Sequence, residues 1–226
     1  MFEAERNRIA EKHIRGLNNW RSHQRMKRGL FICIEGLDKS GKTTQSILLV
    51  EALRRRGYDA IYTAEPSDGK IGSFIREYIL NREERVSAMV EALLFAADRA
   101  EHTENVIKPN LKRGRIVVSD RYLFSSLAYQ GAAGLDIGWI KEVNKAAIKP
   151  DLAIYIDVPV DVVLQRCQGR KSIMECREIQ EKVREIYMKM VHDGELILVD
   201  GDRPVEKTAR EIEMLVLERL EGLEGA

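Results

Sequence analysis

Phe31-Ile32-Cys33-Ile34-Glu35-Gly36-Leu37-Asp38-Lys39-Ser40-Gly41-Lys42-Thr43-Thr44 is the stretch that decides the fold. Residues 36–43 within it carry the spacing G-x-x-x-x-G-K-T. Phe31 to Ile34 is apolar and suits a buried strand. Thr44 to Arg56 has helix-compatible composition up to Gly57. The glycine loop therefore follows a strand and opens a helix, which is where its mechanics work. Gly36 and Gly41 let backbone amides turn toward one point, and a helix N-terminus favours an anion there. Lys42 can reach the outer phosphates and Thr43 can offer its hydroxyl to Mg2+. Lys39, Ser40 and Thr44 complete the expected nucleotide-binding set. The segment predicts a bound nucleoside triphosphate.

Outward from this loop, apolar runs alternate with helical patterns. Strands are expected at Leu30–Glu35, Ala60–Ala64, Arg115–Ser119, Leu152–Val158 and Leu196–Val199. Helices are expected at Ile71–Leu80, at Glu84–Leu111 with Pro109 as a candidate break, at Ile137–Ile148, Val160–Gln168, Gln180–Val191 and Val205–Leu220. This order predicts an α/β fold of the P-loop NTPase type, a five-stranded parallel sheet with helices on both faces and a short lid. Ligands in such sheets gather at the carboxyl ends of the strands. That rule collects Glu35–Thr43, Glu65–Lys70, Asp120, Arg121, Asp157 and Asp200 on one rim.

At 226 residues the chain fits one α/β domain, assigned to residues 30–226. A net charge of +1 gives no global field for nucleic acid or a membrane surface, so neither partner is expected. Cys33, Cys167 and Cys176 form no C-x-x-C pair and no metal-type cluster with the histidines, which suits reduced thiols and a cytoplasmic location. No apolar run is long enough to span a bilayer. Residues 1–29 read as a separate basic extension with helical patterning, through Phe2, Ile9, Leu17 and Trp20 on one side.

Val117-Val118-Ser119-Asp120-Arg121-Tyr122 is the second strong signal. An acid ending a hydrophobic strand in such a protein usually faces the metal, so Asp120 joins Thr43 as a Mg2+ candidate. Arg121 beside it suggests a further anion held next to the triphosphate. If that anion is a phosphate, donor and acceptor repel by about 4 kcal/mol per unit-charge pair at 4 Å and an effective dielectric near 20. Cations must line the gap, and Lys39, Lys42, Arg99, Arg121, Arg166, Arg170, Lys171 and Arg177 are the candidates. No general base is required, because a phosphomonoester is largely ionised at neutral pH, its second pKa being about 6. Phe95 and Arg99 lie four apart in Leu94-Phe95-Ala96-Ala97-Asp98-Arg99 and share a helix face. The pair suits a planar ring; equally, Phe95 suits a core position, and Asp98 and Arg99 suit solvated helix pairs. Gln168-Gly169-Arg170-Lys171-Ser172 reads as a mobile lid over phosphates or as a solvated charged loop.

Taken together, Glu35–Thr44, Leu94–Arg99, Asp120-Arg121-Tyr122 through Ser125 to Ala128-Tyr129-Gln130-Gly131, and Lys149-Pro150-Asp151-Leu152 resemble the thymidylate kinase family in order and spacing over residues 30–220. The resemblance implies transfer of the ATP γ-phosphate to dTMP with Mg2+, and a homodimer. It implies Asp38 as the acid that organises the acceptor sugar and phosphate. It implies Phe95 as the stacking partner of thymine, Arg99 as donor to its carbonyl, and Arg121 as the clamp on the acceptor phosphate. Tyr129 would crowd the ribose 2′ position, with Ser126 and Gln130 in the same substrate set. Arg170, with Lys171, falls where the lid cation is carried, while Lys39 occupies the loop position that carries it in other members. The arginine that relatives carry around Glu65-Pro66 is missing here, and Lys70 or Arg76 is a candidate substitute. The alternatives are a kinase for another nucleoside monophosphate, a deoxynucleoside kinase with Glu35 as its base, and a nucleotide-binding switch.

Overall fold

The structure, a computed structural model, describes residues 28–80, 86–166 and 177–224. The 1–27 part of the extension and the expected lid residues Arg170 and Lys171 lie outside the described residues.

Among the described residues, five strands form one parallel sheet in the order β2-β3-β1-β4-β5. They are β1 (Leu30–Gly36), β2 (Ala60–Ala64), β3 (Ile116–Asp120), β4 (Leu152–Asp157) and β5 (Ile197–Asp200). All of β1 and β3 is buried, as expected for central strands covered on both faces, and both read as continuous apolar runs rather than alternating ones. The core runs through Phe31, Ile32, Ile34, Val117, Val118, Ile154 and Ile156. Helix α1 (Lys42–Arg55) follows the glycine loop. Then come α2 (Lys70–Phe74), continued by a π-helical stretch Ile75–Leu80, and α3 (Ala88–His102), whose N-cap Ser87 accepts from the Val90 amide. The remaining helices are α4 (Lys108–Lys112), α5 (Leu123–Ala132), α6 (Ile137–Val143), α7 (Val160–Arg166), α8 (Arg177–His192) and α9 (Val205–Glu224).

Three departures from the sequence reading have identifiable causes. Pro109 does not break the long helix. The irregularity comes earlier, as a π-helical stretch Thr103–Ile107, and Pro109 sits in the first turn of α4, where its missing N–H costs nothing. The helix expected to reach Ile148 stops at Val143, because the Asn144 side chain turns back to the Ile140 carbonyl and inward to Arg99. The third strand runs one residue further than expected, since Asp120 still pairs with Ile34 of β1 and Ala64 of β2.

The register fixes the working edge. Asp120 ends β3 beside the end of β1, and Asp157 of β4 lies opposite Asp200 of β5. The Arg121 amide extends the ladder by one bond to the Ile34 carbonyl, at 3.0 Å, and the Glu65 amide does the same to Asp120, at 3.0 Å. The loop after β2 is pinned to α3: Asp98 accepts from the Ser67 amide at 2.7 Å and from its hydroxyl at 2.5 Å. Gly72 of α2 packs over that junction. A Cβ there would meet the Ser67 amide nitrogen at 2.5 Å and Asp98 Oδ1 at 2.7 Å, and neither atom can retreat without breaking the pin. Gly72→Ala should therefore lower the unfolding free energy by about 1–3 kcal/mol in urea titration; an unchanged midpoint would show the loop is not held this way.

Candidate active site

The loop between β1 and α1 lines a polar cleft. Gly41 adopts φ 100, and α1 begins without a side-chain cap, so its first amides are left to an incoming anion. Lys42 is buried, and its Nζ donates to the Leu37 carbonyl at 2.5 Å. Burial, and then the nearby Arg121 cation, pull the Lys42 pKa down to about 8. Thr43 Oγ1 hydrogen-bonds Asp120 Oδ2, while Asp120 Oδ1 is buried with no hydrogen-bond partner among the described residues. An orphaned carboxylate oxygen next to a hydroxyl is a hard-oxygen donor set that fits Mg2+, which commonly takes one or two protein ligands plus phosphates and water. Asp38, Lys39, Gly41, Lys42, Thr43, Thr44, Asp120 and Arg166 line this polar cleft with Glu65 and Arg121. Ser40 is buried, and its hydroxyl has no partner among the described residues. Lys39 is exposed with φ 61, and its carbonyl accepts from Arg166 at 3.3 Å.

A second cleft adjoins the first. Phe95, Arg99, Ser126, Tyr129 and Gln130 line it, together with Glu65, Pro66, Glu91, Tyr122 and Ser125. Asp38, Glu65 and Arg121 belong to both clefts. Arg121 spans the junction. Its backbone turns at once after β3, with φ 71. Its guanidinium pairs with Asp38, donates to Ser125 Oγ at 3.0 Å, and lies 5.0 Å over the Tyr129 ring. The Tyr129 hydroxyl accepts from the Asp38 amide at 3.1 Å. Burial opposes ionisation of Asp38, but Arg121 and Lys42 outweigh it and hold the carboxyl below the usual range.

The structure alters the reading of the α3 residues. Asp98 and Arg99 are not solvated helix pairs; both are buried. Arg99 is held by protein acceptors: Nε donates to Glu65 Oε2 at 2.9 Å, Nη1 to Ser126 Oγ at 3.0 Å and to Asn144 Oδ1 at 2.5 Å, and Nη2 to the Tyr122 carbonyl at 3.1 Å, while Nη2 also lies 2.7 Å from Glu65 Oε2 as an ion pair. Any donation to a base would require one of these bonds to be given up. Gln130 Nε2 donates to Glu91 at 3.2 Å, and its Oε1 is buried without a partner among the described residues.

Neither candidate for the missing arginine lines a cleft. Arg76 donates to the Pro66 carbonyl at 2.5 Å and to Asp68 at 3.2 Å, and Lys70 faces a separate depression beside Phe74 and Tyr78. Arg177 is occupied on the surface by Asp161 and Glu181. Arg166, in contrast, reaches the phosphate loop. Two carboxylates that the sequence set on the rim are buried and build the site from within. Glu65 is held by Arg99 and by His102 Nδ1 at 3.1 Å. Glu35 is fully buried under the rim. The available signal was a charged residue at the end of an apolar strand, which marks a position and says nothing about its partners.

A family model described as thymidylate kinase matches residues 34–212. A protein named probable thymidylate kinase from Thermococcus onnurineus is 45% identical over 198 residues, covering 83% of this chain and 97% of that one. Another so named, from Pyrococcus abyssi, is 44% identical over 204 residues, covering 87% and 100%. A protein named thymidylate kinase from Halothermothrix orenii is 40% identical over 196 residues, covering 82% and 95%.

A polyphosphate favours the charged form of Lys42. In the free protein that form is lost as pH rises through about 8. Triphosphate binding should therefore take up close to one proton at pH 9 and little at pH 7, as read by titration calorimetry in buffers of different ionisation enthalpy. Equal uptake at both values would contradict the depressed pKa.

Proposed function

The chain belongs to the thymidylate kinase family, and from that premise we propose that it transfers the γ-phosphate of ATP to dTMP, giving dTDP, across the junction of its two clefts. The observation that carries this reading is the sharing of Arg121 and Asp38 by a polar phosphate cleft and an aromatic-walled neighbour. A triphosphate laid along the loop amides and Lys42 ends next to Arg121. A monophosphate entering the second cleft brings its anion to the same guanidinium. Arg121 then offsets the repulsion between the two, and positioning with charge cancellation supplies the catalysis. Mg2+, held by Asp120 and Thr43, would supply neutralisation of the β- and γ-phosphate oxygens.

Phe95 is the wall on which the base stacks. Ser126 accepts from Arg99 and still carries a hydroxyl donor of its own, which suits a base carbonyl. Tyr129 is 7% exposed and held against Arg121 and Asp38, which makes it a rigid wall where a ribose 2′-hydroxyl would sit. Asp38, with its lowered pKa, remains a carboxylate that aligns Arg121.

A deoxynucleoside acceptor would need a base for its 5′-hydroxyl. Glu35 does not suit that role: its two oxygens accept from the Tyr122 amide, the Ser125 amide and hydroxyl, and the Tyr187 hydroxyl. We further read the chain as a homodimer. Phe74, Tyr78, Met89, Val90 and Leu93 are exposed apolar side chains on α2, its π-helical continuation and α3, and light scattering with wild type and Leu93→Glu tests it.

A coupled assay across dTMP, dUMP, dCMP and thymidine should show dTMP as the preferred acceptor; turnover of thymidine without dTMP would overturn the assignment. Arg121→Ala should lower dTMP turnover about 10²–10³-fold, in line with the loss of one transition-state donor, while ATP affinity changes little. Equal loss of both would contradict the bridging role.

A further inference from the structure

Behind the junction, Glu35 and the Tyr187 hydroxyl, which line neither cleft, meet Ser125, which is half-buried and lines the second one. Tyr187 of α8 is fully buried. Its hydroxyl donates to Glu35 Oε2 at 2.9 Å and lies 3.0 Å from Ser125 Oγ. Ser125 Oγ donates to the same Glu35 oxygen at 2.6 Å and accepts from Arg121 Nη1 at 3.0 Å. Glu35 Oε1 takes the Tyr122 amide at 2.8 Å, at the point where the chain leaves β3. A serine hydroxyl has one hydrogen, so giving it to Glu35 turns a lone pair toward Arg121. The orientation of Ser125 is thus set by Glu35, and Glu35 is set in part by Tyr187.

Tyr187 is itself held firmly. Its ring stacks on Tyr155, with centroids 4.6 Å apart and planes 17° apart. The Tyr155 hydroxyl donates to Asp157 at 3.1 Å, and Asp157 accepts both Nε and Nη2 of Arg184, at 2.8 and 2.7 Å. Arg184 and Tyr187 are three apart on α8, so the helix is tied to the strand ends at two points.

We propose that Tyr187, through Glu35 and Ser125, is a positioning residue for Arg121 and so governs how tightly the acceptor phosphate is held. The proposal rests on the phosphotransfer reading above. It differs from a packing role in what it affects: a packing residue alters stability or both substrates together, whereas this chain ends on one side chain facing the acceptor.

Tyr187→Phe keeps the stacked ring and deletes only the hydroxyl. With wild type as reference, Tyr187→Phe should raise the KM for dTMP about tenfold and leave the KM for ATP within twofold. The Ser125→Ala variant should show the same split, and the double variant should be no worse than Ser125→Ala alone, because both act through one chain. An unchanged dTMP KM, equal shifts for both substrates, or multiplying effects in the double variant would each overturn the inference. Failure of wild type to phosphorylate dTMP would instead sink the phosphotransfer reading. The inference is then judged on the nucleotide-free protein, from the Arg121 side-chain N–H resonance. A shift in Tyr187→Phe supports it, and an identical resonance refutes it. If Tyr187→Phe does not fold, the same split and the same resonance in Ser125→Ala decide.

Discussion

The ion pair between Arg121 and Asp38 is the contact on which the rest of the site depends. It joins the phosphate loop after β1 to the turn after β3, and these are adjacent only because the sheet places β3 beside β1. Arg121 reaches that position by adopting a backbone conformation that a non-glycine residue enters at a cost of about 1–3 kcal/mol. The surroundings offset that cost. Its amide completes the ladder to Ile34, its guanidinium is shared among Asp38, Ser125 and the Tyr129 face, and the Tyr122 amide that follows is caught by Glu35. The guanidinium side chain is still 19% exposed, so it is braced from behind and open in front. A preorganised cation with one free face is what two approaching anions need.

The second cleft is built on buried charge. Glu65, Arg99 and His102 are each almost wholly inaccessible, and isolated burial of any one would be very unfavourable. The unfavourable terms cancel because the guanidinium meets Glu65, Ser126, Asn144 and the Tyr122 carbonyl, and the Glu65 carboxylate has partners at both oxygens. Removing one partner from such a group leaves the other unpaired, which costs about 3–5 kcal/mol. The network therefore locks the relative positions of β2, α3, α5 and Asn144, and with them the wall formed by Phe95, Ser126 and Pro66. In this structure Arg99 reads as the keystone of the wall.

The phosphate loop was legible because its chemistry is local. Spacing of two glycines, a lysine and a threonine between an apolar run and a helix specifies one turn, and no distant residue is needed to see it. The strands were legible to within a residue or two because a doubly covered parallel strand is a run of apolar residues. The end of α6 was not legible, because it depends on Asn144 finding Arg99, which lies 45 residues earlier. Nor was the burial of Asp98 and Arg99. A charged pair on a helix reads the same whether it faces solvent or a loop 30 residues away.

Sequence alone determined the fold class, the phosphate loop, the rim on which ligands gather, and the family, because these follow from short-range patterning and from motifs in order. Only the tertiary structure decided that Arg121 stands between two clefts, that Arg99 is spoken for by the protein, that Arg76 holds its own loop, and that Tyr187 shares Glu35 with Ser125. The physical reason is the same in each case. A side chain's role depends on which partners have already claimed its donors and acceptors, and those partners are brought together by the fold across 8 to 152 residues of chain.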